Sequence, residues 1–357
     1  MRNSPATSPN GPDQGRTCRY HARPPRPRPW TLALGLALLL AAAHARAQRR
    51  VYSDPIPRDV EFMYTRGLRH LARTQTDNGV WPDGHGSSSG VVGLAVLAFL
   101  ANGEDPNYEP YSTNIKRALD YIIDKQKAAS VTGYIGSSMY DHGFATLALA
   151  EAYGQVDDDR IGPALQKAVK LLLNSQNANP RGAWRYRSDS KDADTTVSGA
   201  CLVALYAARN AGVEIPARAI KRALDYYRSC QSPSNGGFGY TSTGSQAAPS
   251  AIGTLVFALD HRQESAAYRA AIAYLSTVNT RHNNFHPMYY LYYASQAFFQ
   301  STPELWRKFN TANIEALKST QRDDGSWPGQ RGGAALSTSF ALLSLALNYR
   351  LLPIYER

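Results

Sequence analysis

The chain has 357 residues, 43% of them hydrophobic, with 39 Lys and Arg against 28 Asp and Glu for a formal net charge of +11. That apolar content fills a large core and excludes a disordered chain, and three cysteines exclude a scaffold held by disulfides. Residues 1–47 carry seven arginines and one aspartate, a net +6, which leaves +5 on the remainder; with no basic cluster beside a base-reading motif, a nucleic-acid partner is excluded too.

Residues 1–30 are rich in Arg and Pro and have no apolar period, and Thr31 to Ala43 is a continuous apolar run too short to span a bilayer comfortably. Ala45-Arg46-Ala47 before Gln48 is a small-x-small cleavage signal, so residues 1–47 read as a secretory leader with a long n-region. The expected product is exported, to a secreted, periplasmic or surface location. The alternatives are an N-terminal membrane anchor and a true start further downstream. Residues 48–357 then form one domain, because no linker interrupts them and the Ser-rich stretch Ser232 to Ser250 falls where a turn is due.

A unit begins at Arg66: a helix with Leu68 and Leu71 on one face closes at Gln75, Asp77-Asn78-Gly79 turns the chain, and Trp81-Pro82 restarts it. The pattern returns as Gln126 before Gly133-Tyr134, Gln176 before Gly182-Ala183-Trp184, Gln231 before Gly236-Gly237-Phe238, and Gln321 before Gly325-Ser326-Trp327. The first four glutamines recur with a period of roughly 50 positions, which fits one helix pair per repeat. A fifth unit, with Asn283-Asn284-Phe285 at its turn, lacks the glutamine, making six in all. The expectation is that Gln75, Gln176, Gln231 and Gln321 bond the orphan amides opening the next helix, while Trp81, Trp184, Phe238 and Trp327 seal the joint.

The first helix of each unit is amphipathic, as in Ile115 to Lys127, and the second is apolar all round: GLAVLAFL from Gly93, GFATLALA from Gly143, GACLVALY from Gly199, GTLVFAL from Gly253 and SFALLSLAL from Ser339. Six outer and six inner helices predict an all-α ring of six helical hairpins, an (α/α)6 toroid; an open superhelix is the competing architecture. The N-termini of the inner helices then gather at one mouth. That mouth would hold Asp141, His142 and Asp194 in or beside a first helical turn, with Tyr140, and, if the fifth unit keeps register, His286, Tyr289 and Tyr290. Asp194 before Thr195-Thr196-Val197-Ser198 is equally a good helix N-cap, and the tyrosines equally fill a core. Cys201 and Cys230, on helices, are expected to be free thiols.

Arg66-Gly67, Leu71, Gln75 and Gly79-Val80-Trp81 resemble the QW repeat of squalene and oxidosqualene cyclases. More broadly, the chain is similar to the α/α-toroid superfamily of triterpene cyclases and protein prenyltransferase β subunits. The resemblance implies that Asp194, in Asp192-Ala193-Asp194-Thr195-Thr196, stands where those cyclases carry the middle Asp of Asp-x-Asp-Asp-Thr, the acid that protonates an alkene. Thr195 replaces the last Asp, which alters the tuning of that acid, and the cyclases of that type use two helical domains where this chain has one. Neither Cys201 nor Cys230 follows the Asp-x-Cys pattern of the prenyltransferase zinc site, and no Gly-Cys-Gly-Glu-Gln thioester motif is present. No metal or cofactor is expected. Toroids also occur among polysaccharide lyases and hydrolases. The reading is an exported toroid that binds a hydrophobic, isoprenoid-like molecule, a glycan or a protein partner, with peripheral membrane or cell-surface association open. The alternatives are an isoprenoid cyclase using Asp194, or a polysaccharide lyase or hydrolase working at the mouth; the candidate catalytic residues are Asp194, Asp192, Asp141 and His142.

Overall fold

The computed structural model describes residues 55–279, 287–329 and 332–355. The chain divides into two units, Met1–Asp54 and Pro55–Arg357. The first lies outside the described residues, as do the leader, its cleavage site, His286 and the fifth-unit turn at Asn283-Asn284-Phe285.

Twelve α-helices run through the described residues of the second unit. The odd ones are α1 (Arg58–Thr74), α3 (Ser112–Ala128), α5 (Ile161–Ala178), α7 (Ala217–Ser229), α9 (Ala266–Leu275) and α11 (Pro303–Lys318). The even ones are α2 (Ser89–Leu100), α4 (Met139–Ala152), α6 (Thr195–Asn210), α8 (Ala247–Leu259), α10 (Pro287–Phe299) and α12 (Gly333–Ala346). The apolar pattern decides which are inside. Every residue of α2 is buried, whereas α7 buries only the face carrying Ala219, Ile220, Ala223, Leu224, Tyr226 and Tyr227.

Each even helix packs on the next, α12 packs back on α2, and α11 meets α1, so the even helices form a closed inner ring and the odd ones surround it. The fold is the expected (α/α)6 toroid.

The repeated glutamine acts at the joint of each of the five repeats that carry it, in a direction opposite to the expectation. Its side-chain amide donates twice, to the carbonyl of the turn glycine and to a carbonyl of the next odd helix. Gln75 reaches Gly79 O (3.3 Å) and Asn114 O (3.0 Å), and Gln126 reaches Gly133 O and Ala164 O. Gln176 reaches Gly182 O and Ala219 O, both at 2.8 Å, and Gln231 reaches Gly236 O and Ala267 O. Gln321 reaches Gly325 O (3.0 Å) and Met63 O (2.9 Å), joining the last repeat to the first. Carbonyls have two lone pairs, so even one already in a helix accepts this extra bond. The turn glycine is required on two counts at Gly79, where φ is 78° and an added Cβ would lie 2.2 Å from Arg117 O. Only a residue without a Cβ meets both conditions.

Two residues beyond each turn glycine an apolar plug closes the joint. Trp81, Trp184 and Trp327 are at most 1% exposed. Their indole N–H groups donate to Leu71 O (3.0 Å), Leu172 O (3.0 Å) and Leu317 O (2.9 Å), so the three occupy equivalent positions. Phe238 fills the slot in the fourth repeat, and in the second it is Ile135, not the neighbouring Tyr134, that is fully buried.

At the opposite end, where the even helices finish, a 3₁₀ turn (Pro353–Tyr355) folds over the ring with Leu352, Ile354 and Tyr355 buried. Ile354 N donates to Glu151 Oε2 (3.4 Å) in the last turn of α4. Cys201 and Cys230 are free and buried. Among the described residues no helix is long and apolar enough to cross a membrane.

Candidate functional site at the N-terminal mouth

Asp194 is the N-cap of α6. Its Oδ1 accepts from Thr196 N (2.9 Å), Val197 N (2.8 Å) and Thr196 Oγ1 (2.7 Å). Those bonds satisfy donors that an open helix end leaves bare. The relay extends outward: Tyr140 OH of α4 donates to Thr196 Oγ1 (2.5 Å), and Tyr289 OH of α10 reaches Thr196 O (3.4 Å). Three inner helices therefore converge on one threonine.

Capping accounts for Oδ1 and leaves Oδ2 over. That oxygen is buried and makes no hydrogen bond. The Arg185 Nε stands 3.5 Å away, close enough for charge attraction but too long for a good hydrogen bond. Burial raises the Asp194 pKa above the usual carboxylate value, against the opposing pull of the Val197 and Thr196 hydrogen bonds and of Arg185. With Oδ1 saturated by three donors, a proton on this carboxyl belongs on Oδ2.

Arg185 is itself gripped. Its guanidinium lies over the rings of Tyr186 (5.5 Å) and Tyr240 (5.4 Å), and it pairs with Asp192 Oδ2 (3.0 Å). The ring faces attract the cation as the carboxylate does. The two tyrosine hydroxyls touch at 2.7 Å. Backbone bonds fix both rings over the mouth, because Tyr186 O accepts from Met139 N, the first residue of α4, and Tyr240 O from Thr195 N, the first of α6. Tyr186 remains 45% exposed, so this aromatic and charged surface faces solvent.

Behind it aromatic rings from three inner helices meet. Phe144 of α4 lies 6.2 Å from Tyr292 and 6.0 Å from Phe340, while Phe340 of α12 lies 5.6 Å from Tyr289 and 5.2 Å from Tyr292 of α10. These rings cross the centre from three sides and pack edge against face.

Asp194, Asp192, Tyr140 and Tyr289 thus come together. Asp141 and His142 take up other partners. Asp141 Oδ2 accepts from Ser137 N and Oγ (3.0 Å each), and Oδ1 from Ser88 Oγ and Gly90 N, tying α4 to α2. His142 is wholly buried: Nδ1 accepts from Ile135 N (3.2 Å) and Nε2 donates to Ala168 O (3.1 Å). The same duty falls to Ser198, Ser250 and Thr338, which accept from the backbone N–H of Trp184, Phe238 and Trp327. Burial pushes the His142 pKa down to about 4, so the ring is neutral. Both ring nitrogens are therefore spent on backbone. Tyr290 is buried with its hydroxyl unpartnered and has Tyr274 of α9 as its electrostatic neighbour, away from the Thr196 relay.

Sequence reasoning missed Arg185, Thr196, Tyr186 and Tyr240. A signal existed, since Tyr186 and Tyr240 stand in the same slot, four residues after their turn glycines, Gly182 and Gly236. Among the described residues no three His, Cys, Asp or Glu side chains are grouped to hold a metal ion.

Residues 63–309 match the model of a family described as Domain of unknown function (DUF6288). Among solved structures, the GH76A alpha-1,6-mannanase from Salegentibacter sp. HEL1_6 is similar at a TM-score of 0.59 and 11% identity, over 80% of this chain and 98% of that one. The type II terpene cyclase MstE from Scytonema is similar at 0.56 and 16%, over 81% and 98%. A protein from Actinoplanes is similar at 0.54 and 14%, over 81% and 99%. At these identities the likeness concerns the fold alone.

Proposed function

The chain belongs to the family described as Domain of unknown function (DUF6288), and from that premise we propose that it is an exported ligand-binding ring whose site is the N-terminal mouth and whose ligand is a polyhydroxylated molecule of the glycan class. One observation carries the reading. The mouth offers aromatic rings, a cation and a carboxylate to solvent (Tyr186, Tyr240, Arg185 and Asp192), with further aromatic rings from three inner helices packed behind them. Sugars bind by laying C–H faces on such rings and bonding hydroxyls to fixed polar groups. The similarity to a mannanase is consistent with this and no more. Calorimetric titration with neutral oligosaccharides, an α-1,6-linked mannotetraose among them, tests it. Binding should weaken about tenfold or more in Tyr186→Ala and in Tyr240→Ala, on the scale of one lost aromatic contact. Binding indifferent to both changes, or none at all, refutes it. Export rests on residues 1–47 and is tested by N-terminal sequencing of material from outside the cytoplasm, expected to begin near Gln48.

A second reading is favoured by a separate observation, the unbonded Oδ2 of Asp194 on a carboxyl of raised pKa. A carboxyl whose proton has no acceptor nearby is suited to donate it to a weak base such as an alkene, the step that opens acid-initiated isoprenoid cyclisation. Asp194→Asn keeps an acceptor for the cap and removes the proton. Turnover of a polyprenyl substrate by the wild type and its loss in a folded Asp194→Asn protein would favour this reading over binding alone.

A further inference from the structure

A groove of about 890 Å³ lies outside the ring, between α1, the loop joining α2 to α3, and the turn after α11. Its volume falls in the range of small-molecule sites. It is far from featureless in charge. Arg69 and Arg73, one helical turn apart on α1, line one wall, and Glu104 and Asp323 line the others. None of these four side chains makes a hydrogen bond or ion pair among the described residues, although opposite charges share one groove. The fold holds them apart.

The neighbouring groups are, by contrast, committed. Arg66 donates to Arg322 O and Asp323 O at 2.8 Å each, locking α1 to the last repeat. Asp324 Oδ1 accepts from Ser326 N and Oγ. The groove wall also carries His70, whose side chain is 9% exposed and whose buried Nδ1 makes no hydrogen bond, with Asp324 Oδ2 3.4 Å away. His70 is thus taken up by Asp324, and what the groove leaves open is a pair of exposed, unpaired cations facing unpaired carboxylates, which suits a ligand carrying both signs.

A simple anion would meet the Glu104 and Asp323 carboxylates, and a simple cation would meet two guanidinium groups. A molecule carrying both signs satisfies both walls. We propose that this groove binds a small zwitterion bearing a carboxylate and an ammonium group, the chemistry of a short peptide, with the carboxylate held by Arg69 and Arg73 and the ammonium facing Glu104 and Asp323. Planar guanidinium forks grip carboxylates bidentately, which sets the orientation. A tripeptide spans about 10 Å extended, a reach suited to a groove of this volume.

Trialanine is the probe, in three forms: with free ends, N-acetylated so that only the anion remains, and C-amidated so that only the cation remains. Calorimetry or NMR titration should show saturable binding of the free form and at least about tenfold weaker binding of each capped form. The double variant Arg69→Ala/Arg73→Ala alters two side chains that make no bond in the fold and should keep the wild-type melting temperature while losing the free form. Glu104→Gln should weaken the free form and leave the N-acetylated form unchanged. The proposal is overturned if the N-acetylated form binds as tightly as the free one, which marks a plain anion site. It is also overturned if no form binds at about 10 mM, or if the folded double variant binds the free form undiminished.

Discussion

His142 shows how a residue with catalytic potential is spent on architecture. Its pKa of about 4 in the folded chain, against 6.5 for the free group, means that between those pH values the unfolded chain binds more protons than the folded one. Stability therefore rises with pH through that window and is lost as pH falls from 6.5 toward about 4. The shift corresponds to about 3 kcal/mol. Because Ser198 and Ser250 do the same job elsewhere, His142→Ser should retain the joint but flatten this acid-side loss, as measured by urea unfolding at a series of pH values. An undiminished slope in the variant would mean that other groups cause it. Asp194 works in the opposite sense. Its folded pKa is raised, so from about 3.8 upward the folded chain binds more protons, and stability falls as pH rises through the raised value. Asp194→Asn should gain on the wild type as pH rises above 3.8 and through the raised value.

At the scale of the element, the joint is built from turn chemistry, and turn chemistry is legible in sequence because few residues satisfy it. Glycine, glutamine and tryptophan recur at fixed offsets, since each performs a task that a neighbour in type cannot. Two glycines separate backbone strain from close approach. Gly79 and Gly154 have φ of 78° and 83°, but an added Cβ at Gly154 meets nothing within 4 Å, whereas at Gly79 it would strike the backbone of α3. Gly154→Ala should cost about 1 kcal/mol, the left-handed penalty alone, and Gly79→Ala clearly more than about 2 kcal/mol, since α1 and α3 must part. Equal costs in chemical denaturation would show that crowding at the joint is unimportant. The direction of the glutamine bond was not legible, because an amide donates and accepts alike and only geometry chooses. Nor was the site. Tyr140 and Thr196 are 56 positions apart and Tyr186 and Tyr240 are 54 apart, and only the packing of successive repeats brings each pair together. Asp141 and His142, the next two residues after Tyr140, turn to different neighbours on a helix surface.

At the scale of the whole ring the decisive contact is the one between its first and last repeats. Gln321 bonds Met63 O, Arg66 bonds the last repeat's backbone, Lys318 pairs with Asp59 (2.8 Å), and Asp83 Oδ2 accepts from Ala334 N and Ala335 N at the start of α12. In an open solenoid the terminal units have one neighbour each, and a change there is milder than the same change in the middle. A closed ring has no terminal unit. Gln176→Ala deletes two donated bonds at an internal joint and leaves two carbonyls with less hydrogen bonding, a loss of about 2–3 kcal/mol. Gln321→Ala deletes the matching pair at the joint between the last repeat and the first, which an open chain would lack. The two losses should agree within about 1 kcal/mol, each in a single unfolding transition seen alike by tryptophan fluorescence and by helix content. A much smaller loss for Gln321→Ala, or an early partial transition in that variant alone, would mean that the ends peel apart before the rest and that the ring behaves in solution as an open array.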